Sequence, residues 1–391
     1  MMTSDSKWTM KFPVPVEFGQ GCVAKLTEYM PGLERVLLVT GKKAMKEAGV
    51  TSQLCSLLDQ AKRKWRLFDG VTSDPDHLEV EAASEVAKSF DAQIIIGCGG
   101  GSALDAAKAI AVAATHKGRI LDYIVNGTRQ INAATLPIIA INSTSGTGSH
   151  VGRAAVISDK NRRIKRILLS DYMYPRVAFC DPLILRNMPP DVTAATGFDA
   201  FAHALEGYIS QIENPMGNLC AAEAMRIIIH TLPRAMAETD NLLLREQMAW
   251  ADTLAGISLA TNAILTPHVL SMIIGGRYGA THGPAIASVM SAWLKQLRKA
   301  NVAKLTEVGN FLGGCRQETD EQKPADFAIE AIDRFIETIG LKRSPATYGL
   351  LQSDIEDICK EAKSDFAFRL EFDPLGPDEK KLAEIMYDAR A

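Results

Sequence analysis

Short apolar runs alternate with longer amphipathic stretches through the first half of the chain. Arg35-Val36-Leu37-Leu38-Val39-Thr40-Gly41 reads as a buried strand ending in a turn, and the stretch from Val50 to Lys64 has helical character. A strand near Trp65 to Phe68, a helix over residues 80–89 and a strand over residues 91–97 follow, the last the clearest of all. Two further strands are expected over residues 136–141 and 176–180. Strand runs that are apolar throughout, not alternating, predict a mostly parallel sheet with helices on both faces. After Asp181-Pro182 the pattern changes. From about Thr193 it is long helical periodicity with few β-branched runs. The expectation is an α/β domain over residues 1–182 and an all-α domain over residues 183–391.

A length of 391 residues agrees with two domains, because one core of that size is uncommon. With 47% hydrophobic and 23% charged residues the composition is that of a globular protein, and a net charge of -3 gives no electrostatic case for nucleic acid or an anionic membrane. The seven cysteines, Cys22, Cys55, Cys98, Cys180, Cys220, Cys315 and Cys359, are odd in number and contain no C-x-x-C pair. They suit reduced thiols in a cytosol. Met1 to Met10 lack the apolar core of a secretory signal, and no run approaches the ~18 apolar residues of a membrane span. A soluble, cytoplasmic protein is expected.

Four residues carry the candidate chemistry. Asp199 and His203 lie four apart in a helix-forming run, so both side chains share one face, and His268 and His282 stand 14 residues apart beyond it. Together they have the donor types of one divalent metal site, with a position left open for an oxygen-bearing substrate. A separate feature is the run Gly97-Cys98-Gly99-Gly100-Gly101-Ser102, which leads from the strongest strand into a helix near Ala103. Glycines there let backbone approach a ligand, and a helix N-terminus offers N–H groups to a pyrophosphate. Its spacing is not the G-x-G-x-x-G fingerprint, since Ser102 replaces the last glycine. Asp122, about 20 residues on, follows a helix and is discounted as a ribose ligand. The run Asn142-Ser143-Thr144-Ser145-Gly146-Thr147-Gly148-Ser149 suits nucleotide contacts at a strand's carboxyl end, or an ordinary self-capped turn.

In combination these motifs resemble the iron-type (group III) alcohol dehydrogenases of the dehydroquinate-synthase-like superfamily. The resemblance runs through Phe18-Gly19-Gln20-Gly21, Gly99 to Lys108, Thr147-Gly148-Ser149, Lys165, Asp181-Pro182, Gly197 to Glu206, His268 and His282-Gly283. It implies that the first domain binds NAD or NADP, that the second is helical, and that the metal sits in the cleft between them. It further implies that Asp199, His203, His268 and His282 hold Fe2+, Zn2+ or another divalent ion, with His268 and His282 acting in catalysis through that metal. Gly41, Gly99, Gly100, Gly101, Ser102, Asp105, Thr144, Thr147, Ser149 and Lys165 are the implied cofactor contacts. A homodimer acting on a small alcohol or aldehyde, with no nucleic-acid or membrane partner, completes the expectation.

Three departures from the family pattern stand out. Met272 occupies a position where a second histidine is frequent, and His150 stands where the loop usually ends in glutamate. Gly41, followed by Lys42 and Lys43, replaces a frequent aspartate; without its repulsion NADP should be tolerated or preferred. Arg153 and Arg277, if near the metal, would favour an anionic aldehyde. His77 and His116 read as surface residues and His230 as structural within a helix. The leading expectation is metal-dependent, reversible NAD(P)-linked alcohol oxidation and aldehyde reduction. A dehydroquinate-synthase-like lyase or cyclase, a hydroxyacid–oxoacid transhydrogenase with bound NAD, and a non-catalytic nucleotide-binding protein are the alternatives.

Overall fold

A computed structural model describes residues 8–186, 188–313 and 322–391, so Cys315 and the start of the N-terminal segment lie outside the described residues. The chain divides into two compact units. The sheet unit comprises Phe12–Met188 with Asp240–Ala249, and the helical unit comprises Pro189–Thr239, Trp250–Ala391 and the described part of Met1–Lys11.

The sheet unit contains strands β1 (Val16–Phe18), β2 (Arg35–Gly41), β3 (Lys64–Val71), β4 (Ile94–Gly99), β5 (Ile138–Asn142), β6 (Ala154–Asp159), β7 (Ile164–Leu169) and β8 (Val177–Cys180). Its principal helices are α1 (Ala44–Glu47), α2 (Val50–Gln60), α3 (His77–Ser89) and α4 (Gly101–Ala113). Six strands form a parallel sheet in the order β1-β8-β5-β4-β2-β3. Val36 and Leu38 of β2 enter one core with Leu54 and Leu58 of α2, while Leu37 and Val39 enter another with Val80 of α3 and Ala106 of α4. Both faces are covered, which is why β4 and the centre of β2, Val36 to Val39, are buried throughout, while edge strand β3 carries Lys64, Arg66 and Asp69.

Sheet order places the ligand-facing edge. The connection out of β2 leads to β3 on one side, and the connection out of β4 leads to β5 on the other. Neighbouring β2 and β4 therefore diverge at their carboxyl ends, Gly41 and Gly99, which is where open parallel sheets bind ligands.

Element limits differ from the sequence pattern for local reasons. α2 stops at Gln60 because Lys62 adopts a left-handed conformation (φ 54°) and turns the chain into β3. The three-residue β1 is too short to show a period. The antiparallel hairpin β6–β7 was also absent from the pattern, because Asp159, Lys165 and Arg166 interrupt its apolar residues.

The helical unit holds α5 (Pro190–Ile209), α6 (Pro215–Ala237), most of α7 (Leu242–Thr261), α8 (Thr266–Tyr278), α9 (His282–Ala300), α10 (Val302–Phe311), α11 (Gln322–Thr338), α12 (Ile355–Leu370) and α13 (Glu379–Arg390). Among its described residues there is no strand. No single helix among the described residues is long and apolar enough to cross a membrane.

Candidate metal and nucleotide sites

Helix α5 begins at Pro190, whose fixed φ suits a first turn, and carries Asp199, His203 and Glu206 at i, i+4 and i+7 on one face. α9 approaches α5 so closely that a Cβ on Gly283 would lie 2.1 Å from the Ala195 carbonyl oxygen. Glycine there lets the neighbouring His282 reach Asp199. His268 is the third residue of α8. The Nε2 atoms of His268, His282 and His203 lie 3.3, 3.5 and 3.9 Å from Asp199 Oδ1. Ligand atoms about 2.1 Å from one ion, at angles of roughly 90–120°, stand about 3.0–3.6 Å apart, so the His268 and His282 separations fit one ion and His203 stands slightly wider. The ligand atoms of Asp199, His268 and His282 all lie within 4.8 Å of one another, while the His203 ring stacks on His268 with centroids 4.3 Å apart. Asp199, His203 and His268 are buried; His282 is one-third exposed and forms the open side.

The electrostatics suit a cation. Burial acts to raise the Asp199 carboxyl, but His203, His282 and His268 outweigh it and hold it down at about 2. Burial acts to lower the His268 imidazole, but Glu206 and Asp199 outweigh it and raise the group to about 9. Buried carboxylates that draw a proton onto an imidazole are a set from which a metal would displace that proton. A carboxylate with imidazoles fits Fe(II), Zn(II), Co(II) or Mn(II).

Two carboxylates anchor the start of α8. Glu206 Oε1 lies 2.6 Å from His268 Nδ1, and its Oε2 accepts from the Leu265 N–H at 2.5 Å. Asp373 accepts from the Thr266 N–H and hydroxyl at 3.1 and 2.6 Å and from the Trp293 indole at 3.0 Å. Both acids sit where a helix N-terminus favours negative charge. Neither was assigned a role from sequence, because each acts across a long separation; Glu206 lies beside the histidine motif, which was the one signal present.

In the sheet unit, β4 ends at Gly99 (φ 151°) and α4 starts at once, with no side chain capping its first turn. Uncapped N–H groups at such a turn suit a phosphate. A Cβ on Gly101 would lie 2.4 Å from Thr147 Cγ2, and one on Gly100 would lie 2.9 Å from Thr144 Cγ2. The glycine loop and the Asn142–Ser149 loop are thus packed glycine against threonine. The buried hydroxyls of Thr144 and Ser145 have no hydrogen-bond partner among the described residues, which suits a polar ligand. Gly41 stands at the neighbouring strand end, where a Cβ would meet only the Val71 carbonyl at 3.7 Å.

Other expected cofactor residues organise the loops. Asp105 accepts from the Ser149 hydroxyl at 2.6 Å and the Val156 N–H at 2.8 Å. Ser102 Oγ accepts from the Asp74 N–H at 3.2 Å, and Lys165, buried, holds Asp74 Oδ1 at 2.6 Å. Sequence reasoning gave no role to Lys108. Its fully buried ammonium donates to Ser149 O, Ser149 Oγ and Ala154 O at 2.7, 2.8 and 2.8 Å. Burial lowers it to about 8, with Asp105 opposing.

Two histidines are not where expected. His77 is buried at the start of α3 beside Glu81, and His116 is buried with Nδ1 3.0 Å from the Val112 carbonyl and Nε2 accepting from the Asn132 N–H. Imidazole edges that satisfy backbone groups can enter a core, and that correction is not readable from residue type. His230 lies exposed in α6. His150 is buried, and burial near Lys108 pushes it down to about 3, so it adds no charge to its loop. Asp122 caps a local turn by accepting from the Arg119 N–H. Arg277 is paired with Glu361 at 2.6 Å, and Arg153 with Asp171 at 2.5 Å, so neither is an uncompensated cation for an anionic substrate.

A parallel-sheet unit with a glycine-rich turn at its switch point, together with a helical unit holding a carboxylate–imidazole cluster, is the arrangement expected of oxidoreductases that pair a nucleotide with a metal. Residues 13–182 match the family described as iron-containing alcohol dehydrogenase, and residues 193–388 match the Fe-containing alcohol dehydrogenase family, C-terminal. The chain belongs to the iron-containing alcohol dehydrogenase family and is an oxidoreductase of the alcohol dehydrogenase type. The 1,3-propanediol dehydrogenase of Citrobacter freundii is 33% identical to it over 377 residues, covering 95% of this chain and 96% of that one. The NAD-dependent methanol dehydrogenase of Bacillus methanolicus is 29% identical over 349 residues, covering 89% of this chain and 91% of that one. Among solved structures, an archaeal halo-thermophilic alcohol dehydrogenase from a Red Sea brine pool superposes with a TM-score of 0.94 at 26% identity, covering 99% of this chain and 100% of that one. Membership does not favour the lyase, transhydrogenase or non-catalytic alternatives.

Proposed function

We propose that the protein reversibly oxidises a small, uncharged alcohol to its aldehyde with NAD or NADP, through a divalent metal held by Asp199, His203, His268 and His282. The observation that carries this reading is the convergence of three imidazole Nε2 atoms on one carboxylate oxygen, with the partly exposed His282 leaving one side open. A divalent ion there supplies Lewis acidity toward an alcohol or carbonyl oxygen. Asp199 contributes the compensating negative charge, and the stacked His203 and His268 hold the inner wall. Met272, buried one turn after His268, carries no titratable group, so proton exchange with the alcohol falls to solvent or a cofactor hydroxyl.

Residues 1–182 are the nucleotide-binding part in this reading and residues 183–391 the metal and substrate part. Gly99, Gly100, Gly101 and Ser102 take the pyrophosphate, Thr144, Thr147 and Ser149 line the cofactor, and Asp105 and Lys165 shape those loops. Gly41, with exposed Lys42 and Lys43 beside it, admits a 2′-phosphate, so NADP is accepted. A cytoplasmic homodimer is the proposed form. The test is a panel of aldehydes with NADH and with NADPH, on protein reconstituted separately with iron and zinc. Metal-dependent consumption of a reduced nicotinamide is expected; no consumption with any pair would overturn the reading.

A further inference from the structure

We infer that Glu206 is a positioning residue that sets which nitrogen of His268 is offered to the metal, and thereby the retention of that metal; this rests on the metal reading above. The argument is one of hydrogen-bond polarity. Glu206 is fully buried and spans two donors: Oε2 accepts from the Leu265 backbone N–H at 2.5 Å, and Oε1 lies 2.6 Å from His268 Nδ1. A metal beside Asp199 would take the lone pair of His268 Nε2, which leaves the ring proton on Nδ1, where Glu206 Oε1 is placed to accept it. Nε2 is also the atom that faces Asp199, at 3.3 Å. A carboxylate behind a metal-bound imidazole fixes tautomer and ring orientation and raises ligand basicity.

The arrangement makes glutamine a sharp substitute. The Leu265 N–H has a fixed direction and needs an acceptor, so the amide oxygen of Glu206→Gln must turn toward Leu265. The amide NH2 then faces His268 Nδ1, which becomes the acceptor, and the ring proton moves to Nε2, onto the side where the metal belongs. Shape is conserved while polarity is reversed. Asp373 and the Thr266 hydroxyl continue to hold the first turn of α8, so the helix keeps its place in this variant.

The experiment measures Zn2+ and Co2+ affinity by chelator competition for the full-length wild type and Glu206→Gln, together with the visible spectrum of the Co2+ forms and the melting temperature of the metal-free proteins. The expected result is a roughly 10- to 100-fold weaker affinity and an altered Co2+ spectrum, with metal-free melting close to wild type. Affinity equal to wild type would overturn the inference. So would a loss of affinity matched by an equal collapse in metal-free stability, because that assigns Glu206 to the fold alone. Should the variant not fold, 15N spectra of histidine-labelled, Zn2+-loaded wild type decide: Nδ1 of His268 protonated supports the inference, and Nδ1 bound to metal overturns it. Asp199→Ala separates the two readings, because metal retained at full affinity in that variant would overturn the site itself rather than the role of Glu206.

Discussion

The helical unit frames its candidate site with charged side chains that face one another, whereas the sheet unit frames its own with main chain, glycine and small hydroxyls. Around Asp199 every partner is a specific atom at a specific distance, and Glu206 and Asp373 hold the helix that delivers His268. Around Gly100 and Gly101 the defining quantity is the absence of a Cβ, and the nearby charges of Asp105, Lys108, Lys165 and Asp74 are spent on tying loops together. A compact cation needs a few strong, directed ligands. A long anionic ligand is better met by many backbone groups over a distance. The first site should therefore fail through the loss of one atom, and the second through displacement of a loop.

The strongest challenge to this contrast is Asp199→Ala. It should remove bound metal and lower kcat/KM by about 10^3 or more, equivalent to roughly 4 kcal/mol of transition-state stabilisation. Metal analysis beside steady-state kinetics checks it, and full activity in a metal-free variant would break the assignment. Next is Gly101→Val, whose side chain collides with Thr147. Overpacking of about 1–3 kcal/mol should raise the KM for nucleotide roughly ten- to hundredfold while metal content stays at the wild-type level. Metal loss in that variant would mean that the two sites are not separable in this way.

Lys108→Met should remove three buried hydrogen bonds, to Ser149 O, Ser149 Oγ and Ala154 O, and lower unfolding free energy by roughly 1–3 kcal/mol, read from denaturant titration. Its pH dependence has a definite sign. The folded value of about 8 lies below the ordinary 10.5, so between these values the unfolded chain holds more protons. The contribution of this group to stability therefore rises with pH across that window. Wild type should gain on Lys108→Met between pH 8 and 9.5, and a constant gap would contradict the lowering of this group by burial. The smallest effect is expected for Gly41→Asp, which the 3.7 Å clearance accommodates. Repulsion of about 1 kcal/mol from a 2′-phosphate near 4 Å should shift preference toward NADH about fivefold. An unchanged NADH-to-NADPH ratio would show that this turn does not meet the 2′ position.

Legibility in the sequence followed the same divide. Asp199 and His203 declared themselves because residue type and helical spacing coincide, and the glycine run did so because it ends an all-apolar strand. The parallel sheet was readable from the apolar runs of its central strands, a direct result of being covered on both faces. What escaped were groups whose meaning depends on distant partners. Glu206 meets Leu265 and His268 some 60 residues away, and a lysine such as Lys108 is ordinarily solvated, so its burial under three oxygens has no local signal. His77 and His116 were misplaced because a polar ring enters a core once its nitrogens find partners, Glu81 for His77 and the Val112 and Asn132 main chain for His116, and residue type alone does not show those partners.

The anchoring of α8 by Asp373 has a consequence for the order of events during synthesis. Thr266 and its anchor are 107 residues apart. All four candidate ligands leave the ribosome well before that carboxylate does. A nascent chain halted between residues 282 and 373 would hold every ligand and still lack the clamp on the helix that aims His268. The aim of His268 is therefore a long-range property of the chain, settled by a carboxylate that is made after every candidate ligand.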